Sequence, residues 1–319
     1  MGFNILLVIL GLAGLYYGGE WLVTGASRMA LRFKVPALVI GLTIVAVGTS
    51  APELFVSIRA VLGGQQGLSL GNVIGSNIAN IGLILGLSGT ISIVAVKQTL
   101  IRREIPILIL ITLVASALTL DGSVSRNDGL FLLAGFIAFN IFFYYIATRS
   151  DDDVDIEVPD EEEVDTTKNS VWVDVAYVVS GSVLLIIGAE LMVTGASEIA
   201  RQIGVSDLVI GITIVAFGTS LPELATSITA VVKKEDDIAI GNVIGSNVAN
   251  LLLVLGATAS IRDIQIDGTD LSIIEYVVMI GFTLLLIPFA RNHQLSRVES
   301  AIFLGAYIAF IGYSFFAPA

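Results

Sequence analysis

The stretch GLTIVAVGTSAPE, residues 41–53, returns 170 residues later as GITIVAFGTSLPE, residues 211–223. Ten of the thirteen positions are identical, and each copy sets a glutamate, Glu53 or Glu223, directly behind a proline inside an apolar segment. A second pair follows at the same offset, GNVIGSNIAN (71–80) and GNVIGSNVAN (241–250). A third precedes them, EWLVTGAS (20–27) against ELMVTGAS (190–197). A carboxylate at membrane depth is costly and marks a functional site by default. Two of them, in matched interrupted segments, point to an ion site between two repeats.

The rest of the chain reads as membrane protein. Of 319 residues, 55% are hydrophobic and 14% charged, with a mean hydropathy of +0.91, whereas soluble domains carry roughly 25% charged residues. Apolar runs predict spans over 4–31, 37–62, 70–95, 103–121 and 127–148, then 171–200, 207–232, 240–261, 271–290 and 298–316. Each must be helical to satisfy its own backbone in lipid, and the alternating ten-residue pattern of a barrel is absent. The first segment has no basic n-region and no small-residue cleavage site, so it reads as a retained span. Without cysteine there is no thiol chemistry.

Five spans per half is an odd number, so the second half enters the membrane from the opposite side. The expected fold is an all-α polytopic membrane protein with ten transmembrane helices, arranged as two inverted five-helix repeats with broken helices 2 and 7 at the centre. Residues 1–148 form the first repeat, 149–170 an acidic linker and 171–319 the second repeat. The net charge of −12 is concentrated in that linker: residues 151–165 hold ten acids and no base, leaving 18 acids against 16 bases elsewhere. Twelve of the sixteen basic residues fall on the linker's side of the predicted topology. The positive-inside rule then places the chain in the cell membrane with the linker cytoplasmic and both termini outside.

Pro52 and Pro222 have no N–H and must interrupt their helices, freeing carbonyls around Ala46–Thr49 and in the matching turn. Helical spacing sets Thr49 and Ser50 beside Glu53, and pairs Ser76 with Asn80 and Ser246 with Asn250. Every group in this set offers oxygen, which suits hard cations, and a dry side-chain cage favours calcium over magnesium. Gly71 and Gly75, and Gly241 and Gly245, give small faces on which helices can pack closely. A single intramembrane glutamate near a proline could be a structural kink; duplication together with Ser, Thr and Asn argues against that. Glu20 and Glu190 are open between a gating role and simple pairing near the interface. Asp121, Asp128 and Asp207 fall near span ends, Arg59 can snorkel, and His293 sits in a short loop.

At GTSAPE with GNVIGSN, and at GTSLPE with GNVIGSN, the chain resembles the sodium/calcium exchanger branch of the calcium/cation antiporter superfamily, over its whole length and in the size range of archaeal and bacterial members. The resemblance implies that Glu53 and Glu223 bind the transported ions. It implies further ligands at Thr49, Ser50 and the Ala46 carbonyl, at Thr219, Ser220 and the Ala216 carbonyl, and at Ser76, Asn80, Ser246 and Asn250. It also implies that the first and sixth helices slide across this core. Some relatives, the potassium-dependent exchangers among them, carry Asp where this chain has Asn250, which weakens the case for potassium transport.

One calcium ion would neutralise two ionised glutamates, and sodium ions could replace it on the same oxygens. Three sodium ions per calcium, the family expectation, makes exchange electrogenic. The expected partners are calcium and sodium ions and the lipid bilayer, with no nucleic acid, no obligate protein partner and no cofactor. A proton/calcium antiporter on the same scaffold and a passive cation channel are the alternatives. An enzyme is not expected, because the chain has one loop histidine and no nucleophile–base set.

Overall fold

The computed structural model describes residues 1–119, 121–149, 170–204, 216–265 and 273–316. The architecture is helical throughout. In chain order the helices are α1 (Gly2–Phe33), α2 (Ala37–Thr49), α3 (Ala51–Leu62), α4 (Gln66–Ile91), α5 (Ile105–Leu118), α6 (Arg126–Arg149), α7 (Val171–Gln202), α8 (Leu221–Val232), α9 (Asp236–Ile261), α10 (Ile273–Ala290) and α11 (Arg297–Phe316). A short helical turn, Ala216–Gly218, precedes α8. Among the described residues, six single helices are long and apolar enough to cross a membrane, and α2 with α3 forms a seventh span bent by 44°.

Burial sorts these helices into a centre and a shell. The apolar windows of α9 and α4 are 94% and 72% buried, against 22–28% for the other four single spans. Phe3, Ile9, Phe131, Tyr144 and Ile308 are exposed on the shell, the face a lipid solvent requires. The central helices carry the duplicated GNVIGSN motifs, so the motif polar groups lie deepest.

The break predicted at each proline falls at the preceding serine. Ser50 sits at φ −80°, ψ 7° and Ser220 at φ −87°, ψ 5°, the same conformation in both copies. Pro52 and Pro222 then occupy the first turn of α3 and α8, where a missing N–H has no helical partner to lose. Wider π turns run over Gly41–Val45, Asn80–Leu85 and Ala249–Val254, next to the motif residues. Such turns occur often at functional sites.

α1 and α7 pack backbone to backbone. A Cβ on Gly11 would lie 2.6 Å from the Met192 nitrogen, and one on Gly181 would lie 2.5 Å from the Leu22 nitrogen. Glycine along both helices is what permits this approach. Their linker-side ends are tied by the Arg32–Asp174 ion pair at 2.6 Å, with Asp174 almost fully buried.

Short extended pairs link the loops. β1 (Val94–Ala95) pairs with β4 (Gln294–Leu295), and β2 (Ser123–Val124) pairs with β3 (Ile264–Gln265). Shifting β1 by 170 residues gives β3, and shifting β4 back by 171 gives β2, so each pairing is the repeat image of the other. Lys97 meets Asp237 at 2.7 Å and the Arg126 nitrogen donates to Asp263 at 2.8 Å, each contact joining segments from the two halves of the chain.

Candidate functional site

The sequence-derived residues converge, in a pattern that crosses between the two halves. Glu53, Glu223, Thr49, Ser246 and Asn250 are fully buried, and Ser50, Ser220, Ser76 and Asn80 nearly so. Thr49 and Ser50 were expected beside their own Glu53. Instead the non-helical turn at Ser50 swings them across: Ser50 Oγ donates to Glu223 Oε1 at 3.1 Å, and Thr49 Oγ1 lies 3.3 Å from Ser246 Oγ. Reciprocally, the Thr219 and Ser220 hydroxyls face the Glu53 carboxylate, which lies within reach of the Glu223 charge. Neither Glu53 oxygen has a hydrogen bond of good geometry. The Ala46 carbonyl accepts from Ser50 N at 2.9 Å, and Thr49 Oγ1 lies 3.2 Å from it. Ala216 opens the short turn before α8, and residues 211–215 of the second motif lie outside the described residues, as does Asp207.

The polar groups are unbalanced toward acceptors. Among the described residues, both oxygens of Glu53, Oε2 of Glu223 and Oδ1 of Asn80 and of Asn250 are buried and accept no hydrogen bond of good geometry, and the Asn250 amide nitrogen donates none. A buried acceptor without a donor costs about 1–3 kcal/mol and more when charged, so five together call for a positive species. Oxygen-only sets at mixed carboxylate, amide and hydroxyl positions fit calcium and sodium.

Close packing of α9 on α2 builds one wall. A Cβ on Gly245 would collide with the Leu42 carbonyl, and one on Gly241 would lie 2.8 Å from the Leu38 carbonyl. The counterpart neighbours of Gly71 and Gly75, at 208 and 212, lie outside the described residues.

Sequence reasoning missed a layer directly behind the glutamates. Asn72 Nδ2 donates to the Glu53 carbonyl (3.3 Å) and Ser57 Oγ (2.9 Å), while Asn242 Nδ2 donates to the Glu223 carbonyl (3.3 Å) and Ser227 Oγ (3.0 Å). Asn247 was missed too; its Oδ1 accepts from Asn80 Nδ2 at 3.0 Å. All three asparagines stand inside the duplicated GNVIGSN, and that was the available signal.

Outside the site, Glu20 forms an ion pair with Lys233 at 2.6 Å. Glu190 is exposed. Asp128 caps α6, accepting from Ser125 Oγ at 2.6 Å, and Asp121 accepts from Ser123 N at 3.2 Å. The exposed Arg59 extends over the Phe55 ring at 5.7 Å. His293 lies in a left-handed turn where its carbonyl accepts from Val96 N at 2.8 Å.

A helical membrane bundle with a buried, acceptor-rich centre defines a cation carrier or channel. The comparisons narrow that class. The family model described as sodium/calcium exchanger protein matches residues 3–145 and 173–316. The sodium/calcium exchanger MaX1 of Methanosarcina acetivorans is 30% identical, with 97% of each chain covered. The inner membrane protein YrbG of Escherichia coli is 36% identical, covering 96% of this chain and 94% of that protein. A solved structure of the sodium-calcium exchanger NCX_Mj, soaked with sodium and calcium, superposes with a TM-score of 0.84 at 35% identity, covering 97% of this chain and 98% of that one. The chain belongs to the sodium/calcium exchanger family, a family of membrane ion exchangers.

Proposed function

We propose that this protein is a secondary active antiporter that exchanges sodium for calcium by alternating access at one central site. Glu53 and Glu223 supply the charge. Thr49, Ser50, Ser76 and Asn80 of the first half, and Thr219, Ser220, Ser246 and Asn250 of the second, supply neutral oxygen, with the Ala46 and Ala216 carbonyls at the breaks. The fold behind this reading is ten helices in two inverted repeats, 1–148 and 171–319, joined by 149–170. The repeat-related loop pairings support it.

The surplus of buried acceptors carries the functional reading. A calcium ion brings two positive charges to two carboxylates, and sodium ions compete for the same oxygens, so loading one expels the other. Three sodium ions against one calcium would move one net charge per cycle, worth about 2.3 kcal/mol per 100 mV of membrane potential.

Calcium-45 uptake into proteoliposomes decides between the readings. Uptake driven by an outward sodium gradient at fixed pH, enhanced by an inside-positive potential, is the expected result. Uptake insensitive to sodium but driven by a pH gradient would favour proton antiport, and uptake needing no counter-ion would favour a channel. A reporter fused to the C-terminus tests the orientation, with activity in the cytoplasm counting against both termini lying outside.

A further inference from the structure

The Thr49 hydroxyl can serve a cation only through a lone pair, so its single hydrogen must point elsewhere. Among the described residues four acceptors stand near Thr49 Oγ1: Asn242 Oδ1 at 3.0 Å, the Ala46 carbonyl at 3.2 Å, Ser246 Oγ at 3.3 Å and, without a hydrogen bond of good geometry, the Glu223 carboxylate. Asn242 Oδ1 is the nearest of the first three. It is also the one whose acceptor end is fixed by other contacts. The Asn242 amide nitrogen donates to the Glu223 carbonyl and to Ser227 Oγ. Turning the amide over would face its oxygen against that carbonyl, acceptor against acceptor, so the network determines the orientation. Asn242 is fully buried, and its competition with water is removed.

We infer that Asn242 is a positioning residue for ion binding: it holds the Thr49 hydrogen away from the cavity and thereby makes the Thr49 oxygen a cation ligand. The inference rests on the site reading above. Asn242 stands on α9, takes the hydroxyl of one half and grips the backbone of the other half's glutamate. It therefore ties two ligands from opposite repeats to one side chain. The amide has no contact with the cargo itself and acts through Thr49. Without it, the hydroxyl hydrogen turns to the Ala46 carbonyl or the Glu223 carboxylate, each an oxygen of the ligand set, and the ion loses that oxygen.

The test is a double-mutant cycle on sodium-driven calcium-45 uptake, read as calcium KM and maximal rate. N242A and T49V should each raise the calcium KM about tenfold, roughly the loss of one hydrogen bond to a charged centre, with the maximal rate changed far less. Combined, they should raise it little further than either alone, since both remove the same oriented oxygen. S227A, which leaves the Asn242–Thr49 contact in place, should act independently of T49V. Multiplying effects of N242A and T49V, or an unchanged KM in N242A, would overturn the inference. Should N242A fold poorly, N242S replaces it in the same cycle with the same two outcomes, because its hydroxyl can bond its own helix and leaves no buried orphan. E223Q separates the levels: normal flux in E223Q removes the site reading itself, whereas a dead E223Q with multiplying N242A and T49V removes only the role of Asn242.

Discussion

The two ends of the α1–α7 helix pair are built from the same repeat and differ in what they touch. Toward the linker, α1 lies against α8: a Cβ on Gly19 would lie 2.8 Å from Thr229 Oγ1 and 3.2 Å from the Ala225 carbonyl. The ion pair Glu20–Lys233, the bond from Lys233 Nζ to Thr24 Oγ1 (3.0 Å) and the bond from Ser27 Oγ to Glu235 (2.7 Å) close the same seam. At the opposite end the repeat-related positions are Ala189 for Gly19, Phe55 for Ala225, Arg59 for Thr229 and Gly63 for Lys233. Phe55 is 63% exposed there, and Glu190, the twin of Glu20, is exposed, with Gly63 at the position that corresponds to Lys233. The site is nearly symmetric in sequence; its rims are not. Small residues and charge seal the linker side, while bulk and glycine leave the other side without a matching seam. If the protein alternates between two access states as proposed, this asymmetry biases the balance between them.

The strongest way to break the comparison is G19L. Overpacking there costs about 1–3 kcal/mol and forces α1 off α8. Because the chain has no cysteine, a single T226C probe can report access; Thr226 is fully buried on the next turn after Glu223. G19L should speed maleimide labelling of T226C from the linker side by about tenfold or more. The double change F55A/R59T sharpens the comparison from the other end. It gives the far rim the small face that the linker rim has and should slow labelling of a V56C probe from that end, with no change at T226C.

A smaller effect is expected from charge. Glu20 and Lys233 are 37% and 30% exposed, so their pair is screened, and such pairs contribute about 0–1 kcal/mol. E20Q should raise linker-side labelling by up to about fivefold, while E190Q should leave both ends unchanged. Equal effects from both variants would remove the charge part of the asymmetry.

The smallest expected effect is of pH. Burial, with Asp237 and Asp236 nearby, pushes the Glu235 carboxyl above its ordinary range, against the opposing Ser27 hydrogen bond and the Lys233 charge. A raised carboxyl means this conformation binds the proton more readily than an exposed one does. Its stability is therefore greatest at acid pH and declines as pH rises through the raised value. Linker-side labelling of T226C should rise modestly with linker-side pH, and E235Q should flatten that dependence.

Much of the fold was legible because the chain repeats itself. The paired GTS-x-PE and GNVIGSN motifs located the centre, and proline chemistry located the breaks, since a missing N–H acts locally. Hydroxyl direction was not legible. Spacing of three or four residues put Thr49 and Ser50 beside Glu53, but the turn at Ser50 is not helical and sends both side chains to the other half. The support from Asn72 and Asn242 was also hidden. A polar residue one turn from a ligand looks like another ligand until its partners, here a backbone carbonyl and a serine on the neighbouring helix, are seen. The two-residue strand pairs were too short to leave a pattern. The ion pair Arg32–Asp174 joins residues 142 apart whose repeat counterparts are Gln202 and Asn4, so duplication could not announce it.

The most direct measurement is sodium-gradient-driven calcium-45 uptake by E53Q and by E223Q, each purified and reconstituted beside the wild type. If the two carboxylates together hold one exchanged cation, either single neutralisation reduces uptake to the level of empty liposomes. Uptake close to wild type in either variant would contradict a shared two-glutamate site.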